Sequence, residues 1–79
     1  MEEEIRNNIL NIGEHNFYKV ARVFGSAWTN CEANYGKIEY SIFEKHFFNV
    51  LNNLIDNKLI IGRGTIEPDN MRFSEIKCV

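Results

Sequence analysis

The stretch Tyr40-Ser41-Ile42-Phe43-Glu44-Lys45-His46-Phe47-Phe48-Asn49-Val50-Leu51-Asn52-Asn53-Leu54-Ile55, followed by Asp56-Asn57-Lys58 and Leu59-Ile60-Ile61-Gly62-Arg63-Gly64, decides the fold. Ser41 with Glu44 three residues later reads as a capping box, a local helix-start signal. Behind it Phe43, Phe47, Val50, Leu51 and Leu54 recur at helical spacing and make one apolar stripe. Asp56-Asn57 stops that helix, and the short aliphatic run Leu59-Ile60-Ile61 reads as a strand. A loop holding Gly62, Gly64 and Pro68 follows, and Met71 to Val79 reads as the returning strand. Helix, tight turn, strand, loop, strand is the second half of a winged helix.

Working back towards the start, residues 16–29 predict a second helix. Phe17, Val20, Ala21, Phe24, Ala27 and Trp28 fall on one face, with Lys19, Arg22 and Ser26 opposite and Asn16 as the expected N-cap. Trp28 continues the stripe and is expected in the core. Gly25 within this helix costs about 1 kcal/mol relative to Ala; a close helix–helix approach would explain it, and a plain surface glycine is the alternative. Residues 2–12 predict a first helix. Glu2, Glu3 and Glu4 lie in its first turn, where acidic side chains favour the positive end of the dipole, and Gly13 closes it. Ile5, Ile9, Leu10 and Ile12 exceed what one stripe needs, so this helix is also the place where a homodimer would pair.

Residues 29–37 show no period and read as a loop, and 36–40 as a short strand that joins the hairpin. The hairpin itself is expected near 58–63 and 71–78. Pro68-Asp69-Asn70 supplies turn chemistry to the wing. The apolar phase slips between Phe73 and Ile76, which predicts a bulge near Ser74-Glu75. The expectation is therefore one α+β, winged-helix-like domain over residues 1–79: three helices followed by a β-hairpin wing.

Three runs also resemble a small bacterial family of unknown function: Arg22-Val23-Phe24-Gly25, then Leu54-Ile55-Asp56-Asn57-Lys58-Leu59, then Met71-Arg72-Phe73-Ser74-Glu75-Ile76-Lys77. The resemblance covers residues 17–79 and implies a winged-helix-like C-terminal domain. It carries over no activity, and this chain has acidic or neutral residues where more arginines are expected.

Composition narrows the function classes. A chain of 79 residues makes one small domain, burying roughly 60% of the surface its unfolded chain exposes. Six Phe, three Tyr and one Trp can fill a core that length alone would leave thin. No apolar run approaches the roughly 20 residues of a membrane helix, and Met1-Glu2-Glu3-Glu4 is the reverse of a basic signal-peptide start, so a cytosolic chain without membrane contact is expected. In that compartment Cys31 and Cys78 are expected as buried thiols rather than a disulfide. Two His and two Cys at no ligand spacing argue against a metal site, and no motif implies a cofactor.

The formal net charge of −2 is unusual for a nucleic-acid-binding domain, whose affinity is dominated by phosphate neutralisation. On the 41–55 helix the outward positions are Lys45, Asn49, Asn52 and Asp56, with His46 and Asn53 flanking. Asn can read adenine edges, but Lys45 is the only fixed cation there. A DNA-binding regulator would use Lys45, Asn49 and Asn52, with Arg63 and Arg72 (helped by Lys58 or Lys37) on phosphates. The favoured expectation is a non-enzymatic protein-binding module of the immunity or antitoxin type, whose acidic patch blocks the basic cleft of a nuclease-like toxin. Candidate partner-binding residues are Glu2, Glu3, Glu4 and Glu14, Tyr35 as an aromatic anchor, and Glu67 with Asp69 on the wing. No catalytic residues are assigned. His15 or His46 with Cys31 or Cys78 would have to form a nucleophile–base pair, Cys31 has no neighbouring cation in sequence, and so short a chain is expected to have little room for a pocket of roughly 300 Å³ or more.

Overall fold

A computed structural model describes residues 1–79. The elements run α1 (Glu2–Leu10), β1 (Tyr18–Lys19), α2 (Val20–Tyr35), α3 (Tyr40–Asp56), β2 (Ile60–Arg63), a 3-10 turn (Pro68–Asn70) and β3 (Glu75–Cys78). The strands form one antiparallel sheet in the order β1-β3-β2. Three helices with a terminal hairpin make the winged-helix-like α+β layout, as expected.

The α3 stripe behaves as its spacing dictates. Phe43, Phe47, Val50, Leu51 and Leu54 are all buried, with Phe48 beside them. They pack on Val20, Val23, Phe24, Ala27 and Cys31 of α2 and on Ile5 and Ile9 of α1. Phe24 meets Phe47 edge-to-face with ring centroids 4.9 Å apart and Phe43 at 5.1 Å. α3 ends where Asp56-Asn57 said it would. The Leu59 amide donates to the Leu54 carbonyl and the Lys58 amide to the Ile55 carbonyl, which closes a Schellman motif. Lys58 takes the left-handed position at φ 62°, a place usually given to glycine.

Several local expectations are corrected. The capping box is not made: α3 begins at Tyr40, and the Ser41 hydroxyl donates to Glu39 Oε1 at 3.0 Å instead of accepting from a backbone N–H of the first turn. The strand expected at 36–40 lies at Tyr18–Lys19, because these residues pair with Ile76 and Glu75 of β3. That pairing takes Phe17 and Asn16 out of α2, which starts at Val20. α2 runs on through the segment read as a loop, since Cys31 extends the buried row four residues past Ala27; it stops at Gly36, φ +82°. α1 ends at Leu10 rather than 12.

No bulge explains the phase slip in the last segment. The ladder is regular, Ile60 opposite Cys78 through Arg63 opposite Glu75, and residues 71–73 are a turn before the strand. Gly25 is exposed, with nothing near where a Cβ would sit, so no close helix approach occurs there. Trp28 is half-buried at the edge of the core, against Phe24, Tyr40 and Phe43. Leu10 and Ile12 pack half-buried against the same core, so the apolar residues of α1 are used within the chain. No helix is long and apolar enough to cross a membrane.

Two stability predictions follow from this packing. Phe47→Ala removes a fully buried ring and should cost about 3–5 kcal/mol in urea unfolding, a large share of a small domain's stability. Gly25→Ala, on an exposed helical position, should raise stability by about 0.5–1 kcal/mol in the same assay.

Candidate functional site

The burial of Ile5 and Ile9 lays α1 across α2 and α3, and this sets where its acidic first turn goes. Glu4 reaches the last residue of α2: the Tyr35 hydroxyl donates to Glu4 Oε2 at 2.8 Å, and the amino terminus lies 3.0 Å from Oε1. Glu2 Oε2 lies 2.8 Å from Nδ1 of His46 on α3. Glu2 and Glu3 also line an open hollow of about 370 Å³ with Arg6, Asn49, Val50 and Asn53. Glu2, Glu3, Glu4 and Tyr35 therefore form one acidic end, alongside the asparagines of α3.

The other acidic candidates are elsewhere. Glu14 is exposed beyond the far end of α1, beside Gly13, whose carbonyl accepts from the Cys78 amide on β3. Glu67 and Asp69 are exposed on the wing, Asp69 next to Met71 and Phe73. The charges do not form a single patch.

Hydrogen bonding tunes the acidic end. The bond from Tyr35, reinforced by the amino terminus, lowers the Glu4 pKa from 4.5 to about 2. The same bond to a carboxylate raises the Tyr35 phenol. Burial in α2, with the Glu4 charge nearby, pushes the Cys31 thiol up, the opposite of what a nucleophile needs. Both cysteines are free; Cys78 is half-buried and its thiol donates to the Leu10 carbonyl at 3.3 Å. No group of three His, Cys, Asp or Glu is assembled in a metal-holding arrangement.

The exposed face of α3 carries Ile42, Lys45, Asn49, Asn52, Asn53 and Asp56. Lys45 is its single cation, as expected; the exposed Ile42 is unexpected. Arg63 and Arg72 do not join this face. Arg63 lies on the outer surface of the sheet, 2.8 Å from Glu75 Oε1, with its guanidinium 3.7 Å over the Phe17 ring. Lys77 lies 5.3 Å over the same ring, and Lys19 is 3.9 Å from Glu75 Oε2. Three cations thus converge around one carboxylate and one aromatic ring. Sequence reading singled out Arg63 here and missed Lys19 and Lys77. Their signal is parity: Arg63, Glu75 and Lys77 occupy alternate positions facing away from buried Ile60 and Ile76. Arg72 is exposed beside Phe73.

Three open hollows of about 340, 370 and 410 Å³ mark the surface, larger than so short a chain was expected to hold. They are surface grooves between elements, because a core this small closes completely around its own rings. Comparison with protein-family models, curated proteins and solved structures finds no match. The functional reading therefore rests on this surface alone.

The depressed Glu4 pKa has a testable sign. Its stabilisation is complete above the unfolded value of 4.5 and is lost as pH falls through about 2. In acid unfolding between pH 5 and 2, Glu4→Gln should show a shallower loss of stability than the parent; identical profiles would mean that the Glu4–Tyr35 bond contributes nothing.

Proposed function

We propose that this winged-helix-like domain is a non-enzymatic protein-binding module whose acidic end, Glu2 and Glu3 with Tyr35, receives a basic surface of its partner. One observation carries the reading. The face of α3 that DNA would approach bears a single cation of its own, Lys45, and is flanked from α1 by Glu2 and Glu3 with Arg6 beside them. Phosphates brought to that face meet the carboxylates of Glu2 and Glu3, and Lys45 with Arg6 is a small basic set against the several phosphate contacts that DNA affinity needs. A basic protein surface meets the same charges favourably, and the exposed Tyr35 and Ile42 supply apolar contact beside them. Neutralisation of a nuclease-like toxin is the form of this function that fits best: carboxylates occupying a phosphate-binding cleft block it by charge mimicry.

A second reading has its own observation. Lys19, Arg63 and Lys77 converge on the outer face of the sheet, which favours a regulator that meets nucleic acid through its sheet and wing. Glu75 pairs with two of these cations and already offsets part of that charge.

Fluorescence anisotropy with a mixed-sequence duplex across a salt series separates the two. The expected result is no binding tighter than about 100 µM at physiological salt, the weak edge of non-specific association. Micromolar binding that weakens steeply with salt, and is lost in Arg63→Glu/Lys77→Glu, would move the second reading to first place. For the protein reading, cross-linking in the source cells should capture a basic protein with the parent chain and not with Glu2→Lys/Glu3→Lys. Equal capture by both would overturn the acidic end as the contact.

A further inference from the structure

The most exposed large apolar side chain is neither at the acidic end nor on α3: it is Phe73, 76% exposed. The turn that carries it is pinned on every side. The Phe73 amide and the Ser74 hydroxyl both donate to the Asn70 carbonyl, at 3.0 and 2.9 Å. From α2, the Ala21 amide donates to the Met71 carbonyl and the Val20 amide to the Ser74 carbonyl, both at 3.0 Å. Gly64, at φ +79°, lets the wing pass so close that a Cβ there would lie 3.0 Å from the Phe73 carbonyl oxygen. A ring presented from so fixed a backbone loses little freedom on contact, which is what an interface anchor requires.

Beside Phe73 is its counterpart. An open hollow of about 410 Å³ is walled by Ala21, Phe24, Tyr40, Pro68 and Met71, with Phe73 itself along one side, and Tyr40 on its rim is 50% exposed. Asp69 and Arg72 also border it; both are exposed, and neither is in an intramolecular ion pair. We propose that a second copy of this chain docks here, across a two-fold axis, to form an isologous dimer. A two-fold contact demands a self-complementary patch. This one holds a projecting ring and an apolar hollow, a free carboxylate and a free guanidinium. Rotation by 180° sets Phe73 of each copy into the hollow of the other, and Asp69 of each against the other's Arg72.

The other exposed apolar residues lack such a match: Leu59, Ile61 and Val79 follow the open edge of β2 without a hollow beside them. A contact made by so few residues gives a concentration-dependent dimer. It lies at the start of α2, whereas the acidic end lies at the end of that helix, so the dimer leaves the proposed protein-binding site open and does not depend on it.

Sedimentation equilibrium from about 10 µM to 1 mM, the range of weak interfaces, tests the proposal. The parent chain should pass from monomer towards dimer. Phe73→Ser, at an exposed site, should fold normally and weaken association about tenfold or more. Asp69→Arg and Arg72→Asp should each weaken it by setting like charges face to face, and the double variant should restore it. Monomer throughout the range would overturn the proposal and leave the face to a different protein. So would a dimer indifferent to Phe73→Ser, a dimer broken instead by Ile61→Arg on the β2 edge, or a double variant as weak as the singles.

Discussion

Phe24 stands at the centre of an aromatic cluster, with the rings of Trp28, Tyr40, Phe43, Phe47 and Phe48 at centroid separations from 4.9 to 6.4 Å. Much else depends on this cluster. A chain of this size has little interior, and aliphatic side chains alone would leave it loosely held. Large rings meeting edge to face bury more area per residue and fix the crossing of α2 on α3. Once that crossing is set, α1 can bury Ile5 and Ile9 against both helices. The sheet then closes the remaining side through Ile60 and Ile76. Of the large apolar residues left outside this arrangement, Phe73 is the most exposed, which makes it informative.

How much of this was legible in the sequence depended on whether the signal was local. The α3 stripe, the stop at Asp56-Asn57 and the strand at Ile60–Arg63 were readable because each is written in adjacent residues. β1 was not: Tyr18–Lys19 is a strand only because β3 lies alongside it, and two residues hold no periodicity of their own. Its own Lys19 and the preceding Phe17 therefore merged with the amphipathic pattern that follows. The second half of α2 failed for the opposite reason. Thr29, Asn30 and Asn34 lower helix propensity, and the burial of Cys31 overrides them. The capping box at Ser41 was a true local pattern that a one-residue earlier start made unnecessary.

The surface was less legible than the core. Glu2, Glu3, Glu4 and Tyr35 were each visible as candidates, but that they share one end follows from α1 running antiparallel to α2, a tertiary fact. The link from Asn8 to Asn30, a 2.7 Å hydrogen bond, marks the same alignment. The cations on the sheet needed the register before their parity meant anything. Phe73 read as a residue of the last strand, and only the turn at 71–73 leaves it exposed.

The separation of charge along α1 has one more consequence. The helix starts among Glu2, Glu3 and Glu4 and ends near the sheet that carries Lys19, Arg63 and Lys77. Arg6 and the amino terminus at the first end, and Glu14 and Glu75 at the second, offset part of this separation, so the molecule carries a modest charge asymmetry along α1 on a net charge of −2. In the field of a strongly charged object it experiences a torque before it makes any contact, so it arrives already turned. A positively charged body is met with the carboxylate end, and a polyanion with the opposite pole. Productive collisions become a larger fraction of all collisions, and added electrolyte erodes that advantage over distances of roughly 10 Å.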